Sequence, residues 1–111
     1  MSGQFEHILR ELRAQVDTWL AGLFEGKPHL GALDEACRYS LLAPGKRLRP
    51  IQALESARSL QISRDRTKSF AMALELIHTA SLIHDDLPAL DNDSMRRGRP
   101  TCHIAWGEGL A

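Results

Sequence analysis

Apolar residues near the start of the chain recur mostly at spacings of three and four: Phe5, Ile8, Leu9, Leu12, Val16, Trp19, Leu20 and Leu23. That is the period of one face of a helix. The pattern predicts a helix over this segment, closed by Gly26-Lys27-Pro28. A second helix is predicted from about Leu30 to Leu42, with Leu33, Ala36, Cys37 and Leu41 on its stripe, and Ala43-Pro44-Gly45 breaks it. A third runs from Pro50 to Leu60, its proline in the first turn where a missing N–H costs little. Ser63 is the expected N-cap of a long fourth helix, Arg64 to about Asp86. Its stripe is Phe70, Ala73, Leu74, Ile77 and Ser81, widened by Leu76, Ala80 and Ile83. Pro88 interrupts this pattern, and residues 92–103, polar and carrying Gly98 and Pro100, read as a loop. There is neither strand alternation nor an internal repeat, so the fold class is all-α.

The 111 residues suffice for one small domain, and 43% apolar with 25% charged residues is ordinary for a globular chain. Fourteen basic and fourteen acidic residues cancel, which leaves no overall field to recruit nucleic acid or a membrane surface. Cys37 and Cys102 form no C-x-x-C pair and read as free thiols of a reducing compartment. The first residues lack the basic and apolar regions of a signal peptide, and no apolar run is long enough to span a membrane. The expected location is the cytoplasm. Glu108 onward reads as the first turn of a further helix, so the expectation is a fragment of a longer chain.

Charge is uneven locally. Gly45-Lys46-Arg47-Leu48-Arg49-Pro50 sets three cations at a loop-to-helix junction, a combination suited to phosphate, although a solvated turn would look the same. It is no Walker loop: Ser40 stands where glycine is needed, and Arg47 where Ser or Thr should follow the lysine. Farther on, His84-Asp85-Asp86-Leu87-Pro88-Ala89-Leu90-Asp91-Asn92-Asp93 holds four carboxylates in nine positions. Such crowding is repulsive without cations, and hard oxygen ligands suit magnesium, held by one or two carboxylates plus substrate phosphates. Pro88 has no N–H for the carbonyl of His84, so the helix must break or bend there, which would bring Asp91 back beside Asp85. Asp86, about 100° round the helix from Asp85, is a weaker ligand candidate. His78 lies two turns before Asp85 on the same face, a core residue or part of the site. An EF-hand starting at Asp91 fails, because Arg96 occupies its glycine position and Cys102 its last ligand position.

Arg96-Arg97-Gly98-Arg99-Pro100 follows at once, and arginine forks match phosphate oxygens. Acids and bases side by side make sense if magnesium sits on the first and a diphosphate on the second. Local Asp–Arg pairing is the plainer alternative. A rival of another class is a small DNA binder, since Arg97-Gly98-Arg99-Pro100 spells an AT-hook core, though the neutral chain and its flanks speak against it.

Two motifs in order, G-K-R-L-R-P at 45–50 and H-T-A-S-L-I-H-D-D-L-P-A-L-D-N-D-S-M-R-R-G-R-P-T-C-H at 78–103, resemble the N-terminal part of the trans-prenyltransferases. These are the farnesyl and geranylgeranyl diphosphate synthases. The acidic element is similar to their first aspartate-rich motif, in the form with two extra residues. The resemblance implies the N-terminal helices of an isoprenoid synthase bundle, residues 1–111 forming part of a polyprenyl synthetase domain. It implies that Lys46, Arg49, His78 and Arg97 hold the diphosphate of isopentenyl diphosphate. Asp85 and Asp91 would bind Mg2+ bridging to an allylic diphosphate, which Arg96 contacts. The implied reaction is ionisation, condensation and elimination, carried out by a homodimer when the enzyme is full length. The resemblance also places the floor of the tail pocket just before the aspartates, at Ala80 and Ser81 here. A small residue at position 80 points to tolerance of a twenty-carbon as well as a fifteen-carbon product. The family's second aspartate-rich motif is absent from these 111 residues, so this chain alone is expected to be inactive. A non-catalytic paralogue or subunit keeping the first motif is the other reading within the class.

Overall fold

A computed structural model describes residues 2–111. Among them are five helices, α1 (Ser2–Gly22), α2 (Ala32–Leu41), α3 (Leu48–Ser59), α4 (Arg64–Asp85) and α5 (Cys102–Trp106), and two short strands, β1 (Met95–Arg96) and β2 (Arg99–Pro100). The chain divides into two compact units, residues 1–25 with 45–76, and residues 26–44 with 77–111.

In the first unit, α1 offers Leu12, Val16 and Leu20, spaced by four and each fully buried. Ile51, Leu54 and Ala57 of α3 and Ala71 and Met72 of α4 complete that core. Burying a side chain of the size of Leu or Val contributes about 1.5–3 kcal/mol, so this row is a main source of the unit's stability. Only part of the predicted α1 stripe is used: Phe5 and Ile8 lie exposed. In α4, Phe70, Leu76 and Ile77 are likewise exposed, while Thr67 and Glu75 are buried. Ser63 caps α4 as expected, its Oγ accepting from the Arg66 N–H at 3.4 Å. The start of α3 is unusual. Arg47 occupies the N-cap position in the left-handed region, φ 56° and ψ 33°, which costs a residue with a Cβ about 1–2 kcal/mol. Its guanidinium runs inward and bonds Asp17 of α1 and Glu75 of α4. Pro50 falls in the first turn of α3, as its geometry favours, and is buried.

The second unit holds α2, the last turns of α4, the acidic loop, the hairpin and α5. Residues 92–103 are more ordered than a plain loop. β1 and β2 pair antiparallel, Met95 with Pro100 and Arg96 with Arg99. The two residues between them, Arg97 and Gly98, both have positive φ, 53° and 75°. That is a two-residue hairpin turn of the kind that matches strand twist. The Thr101 hydroxyl then donates to the Asp93 carbonyl at 2.9 Å, and α5 begins. The predicted all-α class holds, with this small hairpin as an addition.

Tyr39 of α2 anchors the hairpin. Its hydroxyl donates to the Pro100 carbonyl, its ring lies 4.1 Å beneath the Arg99 guanidinium, and its edge meets Trp106 with centroids 6.3 Å apart. After α5, the Ala111 N–H donates to the Gly107 carbonyl, one helical turn at the end of the described chain.

Candidate functional site

The acidic loop is built on the end of α4. The helix stops at Asp85 instead of bending through Pro88. The His84 carbonyl, which Pro88 cannot serve, accepts from the Leu87 N–H at 3.1 Å. The chain then turns back on itself. The Asp91 N–H donates to the Asp85 carbonyl at 2.8 Å, and the Asp93 N–H to the Asp86 carbonyl at 3.1 Å. Asn92 takes a left-handed conformation, φ 52°, which asparagine tolerates better than most residues. The break at Pro88 therefore brings Asp91 back to Asp85, but through a reversed loop and a main-chain bond. Both side chains are exposed.

Asp86 has the opposite environment. It is 3% exposed and accepts two parallel bonds from Arg96 Nε and Nη2, both 2.8 Å long. The hydrogen bonds that Arg96 donates to Asp86 raise the Arg96 pKa above its ordinary value. The negative charges of Asp86, Asp93 and Asp85 push the same way, against the effect of burial. Asp86 is thus a holder of Arg96 and no longer a ligand candidate. The plainer sequence alternative, Asp–Arg pairing across the loop, is realised at this pair. Two of the five N–H groups of Arg96 serve Asp86, and the rest of the fork remains for another anion.

Arg97 is exposed and Nη1 donates to the Pro44 carbonyl at 2.7 Å. With Arg99 stacked on Tyr39, the Arg-Gly-Arg-Pro segment forms a hairpin whose two arginines turn onto the protein's own surface. His78 is half-buried on α4, about 10 Å along the axis from Asp85 by helical rise. Its carbonyl accepts from the Ser81 hydroxyl at 2.7 Å. Lys46 and Arg49 are exposed in the first unit, while His78, Asp85, Asp91, Arg96 and Arg97 belong to the second. The third cation of the first basic element, Arg47, is buried and ion-paired, so that element offers two outward charges, not three.

Asp85 and Asp91 carry exposed carboxylates, hard oxygen donors of the kind magnesium accepts together with phosphate oxygens. Among the described residues no three His, Cys, Asp or Glu side chains gather as a metal cage.

The polyprenyl synthetase family model matches residues 31–111. A farnesyl diphosphate synthase from Haemophilus influenzae is 42% identical over 110 residues, covering 98% of this chain and 37% of that one. A geranylgeranyl diphosphate synthase from Cyanophora paradoxa is 57% identical over 77 residues, 69% of this chain and 26% of that one. The crystal structure of a geranyltransferase from Legionella pneumophila superposes with a TM-score of 0.92 at 35% identity, covering 99% of this chain and 39% of that one. The chain belongs to the polyprenyl synthetase family. It spans a little over a third of the length of the Haemophilus relative.

Proposed function

We propose that this chain supplies the first aspartate-rich half of a magnesium-dependent prenyltransferase that condenses isopentenyl diphosphate with an allylic diphosphate, giving a farnesyl or geranylgeranyl diphosphate. The observation that carries this reading is the closed acidic loop. One main-chain bond joins the backbones of two residues six apart whose carboxylates are both exposed, and Asp86, next to the first of them, holds the cationic Arg96. In this proposal Asp85 and Asp91 hold Mg2+, and the ion supplies positive charge that stabilises the departing diphosphate. Arg96, kept in place by Asp86, binds the allylic diphosphate through its remaining N–H groups. Lys46, Arg49, His78 and Arg97 bind the diphosphate of isopentenyl diphosphate as charge-assisted donors. A homodimeric, cytoplasmic enzyme belongs to the same proposal. No described helix is long and apolar enough to cross a membrane.

The test has two arms. The purified 111-residue chain is expected to bind inorganic pyrophosphate, more tightly with Mg2+ than without, when followed by calorimetry. Given geranyl and isopentenyl diphosphates with Mg2+, it is expected to transfer no prenyl group, because one acidic motif does not complete the metal cluster. Absence of Mg2+-assisted pyrophosphate binding would refute the site, and measurable prenyl transfer would refute the half-site reading.

Product length provides a further expectation. Ala80 and Ser81 are exposed on α4, about one turn before Asp85, and the neighbouring Ile77 is exposed too. We propose that this small-residue stretch floors the pocket for the growing tail and admits a twenty-carbon product. In a catalytically complete synthase whose first third is this chain, Ala80→Tyr should shift the product ratio toward fifteen carbons, read by chromatography of the dephosphorylated alcohols. An unchanged ratio would sink the idea.

A further inference from the structure

Arg47 lies between the two outward cations of the first unit, and the diphosphate reading gives it no task. It is 4% exposed, whereas Lys46 and Arg49 on either side are exposed. Its Nε donates to Asp17 Oδ1 at 2.8 Å and its Nη1 to Glu75 Oε1 at 2.9 Å. Glu75 is itself buried, while the Asp17 carboxylate is half exposed. The guanidinium is buried against two carboxylates, so its N–H groups do not reach an anion at the surface. Its backbone, however, begins α3 from the left-handed region, and the Ile51 N–H donates to its carbonyl at 3.1 Å. Arg47, Pro50 and Ile51 face inward, and Lys46, Leu48 and Arg49 face outward.

We infer that Arg47 is a positioning residue. Its inward ion pairs with α1 and α4 fix the left-handed turn that aims Lys46 and Arg49 outward as a two-cation diphosphate clamp. This rests on the proposal that Lys46 and Arg49 bind diphosphate. Holding a helix start by side-chain bonds to two other helices removes backbone freedom that the segment carrying Lys46 and Arg49 would otherwise lose on binding.

Charge and position predict opposite signs, and that decides the test. Glu75→Gln and Asp17→Asn each remove a negative charge near the clamp. By Coulomb's law alone, both should tighten pyrophosphate binding. If Arg47 acts by positioning, both should weaken it. The experiment titrates inorganic pyrophosphate with Mg2+ into the 111-residue chain and its variants at low ionic strength, with circular dichroism to check helix content. Lys46→Ala with Arg49→Ala is the reference, expected to weaken Kd by roughly tenfold or more for the loss of charge-assisted bonds. Glu75→Gln is expected to weaken it about fivefold, and Asp17→Asn, whose carboxylate is half exposed, about twofold. Should Glu75→Gln lose helix content, Asp17→Asn carries the sign of the effect by itself. Tighter or unchanged binding in the carboxylate variants, with the reference weakened, overturns the inference and leaves the diphosphate reading standing. Unchanged binding in the reference variant overturns the diphosphate reading, and this inference with it.

Discussion

Asp85→Ala combined with Asp91→Ala, in a catalytically complete synthase whose first third is this chain, is expected to lower kcat about a thousandfold without lowering the melting temperature. The two halves of this expectation have different sources. Both carboxylates are exposed, and the tie between the residues runs from the Asp91 N–H to the Asp85 carbonyl. Alanine therefore removes the acids and keeps the tie, and relief of carboxylate repulsion opposes any loss of stability. For the rate, a bound metal ion stabilises developing charge by several kcal/mol, and each 1.36 kcal/mol is a factor of about ten. A loss of about 4 kcal/mol then gives roughly three powers of ten. Steady-state kinetics at saturating substrate with a thermal melt would check both halves. A fall of less than tenfold would refute the metal role, and a large drop in melting temperature would make these residues structural.

Asp86→Ala should do the reverse, acting first on stability. Asp86 is buried and doubly bonded to Arg96, whose side chain is 36% exposed. Removing one partner of a fully buried pair costs about 3–5 kcal/mol, because the other charge is stranded. Arg96 can turn partly into water, so the expected loss is lower, about 2–3 kcal/mol by urea unfolding of the chain. The loss should concentrate where Arg96 belongs to the hairpin, so hydrogen exchange at Asp93 and Thr101 should speed up more than at the α1 core. The Arg96 side of the pair gives no pH window of its own. Its raised pKa keeps the contribution intact below the ordinary guanidinium range, and it would be lost only as pH rises through the still higher folded value. A change in stability within about 0.5 kcal/mol would refute the role of Asp86 as the holder of Arg96.

The contrast between Asp85 and Asp86 also shows what the sequence could and could not disclose. Four long helices were legible because their apolar residues recur at three and four, and Ser63 and Pro50 mark helix starts by chemistry that is local. The ends of the acidic site were legible because Pro88 forbids a bond that the helix needs. Burial of individual acids and bases was not legible, because it depends on neighbours distant in sequence. Arg47 reads as one of three equivalent cations, whereas in the fold it turns inward to Asp17 and Glu75, some thirty residues away on each side. The hairpin was missed for another reason. Its strands are two residues long, too short for alternation, and the signal was the Arg97-Gly98 pair with its left-handed preference. The apolar stripe of α4 misleads in the same way, since Phe70 and Ile77 satisfy the period yet lie exposed while Glu75 is buried.

The bond between Asp91 and Asp85 works as a buckle. Once it closes, the interval between the two acids is set by one main-chain bond, and the residues threaded through the strap no longer measure it. Pro88, Ala89 and Leu90 are exposed on the outside of that strap. The side chains of Ala89 and Leu90 therefore take no part in fastening it, whereas Pro88 is what ends the helix and lets the strap turn back.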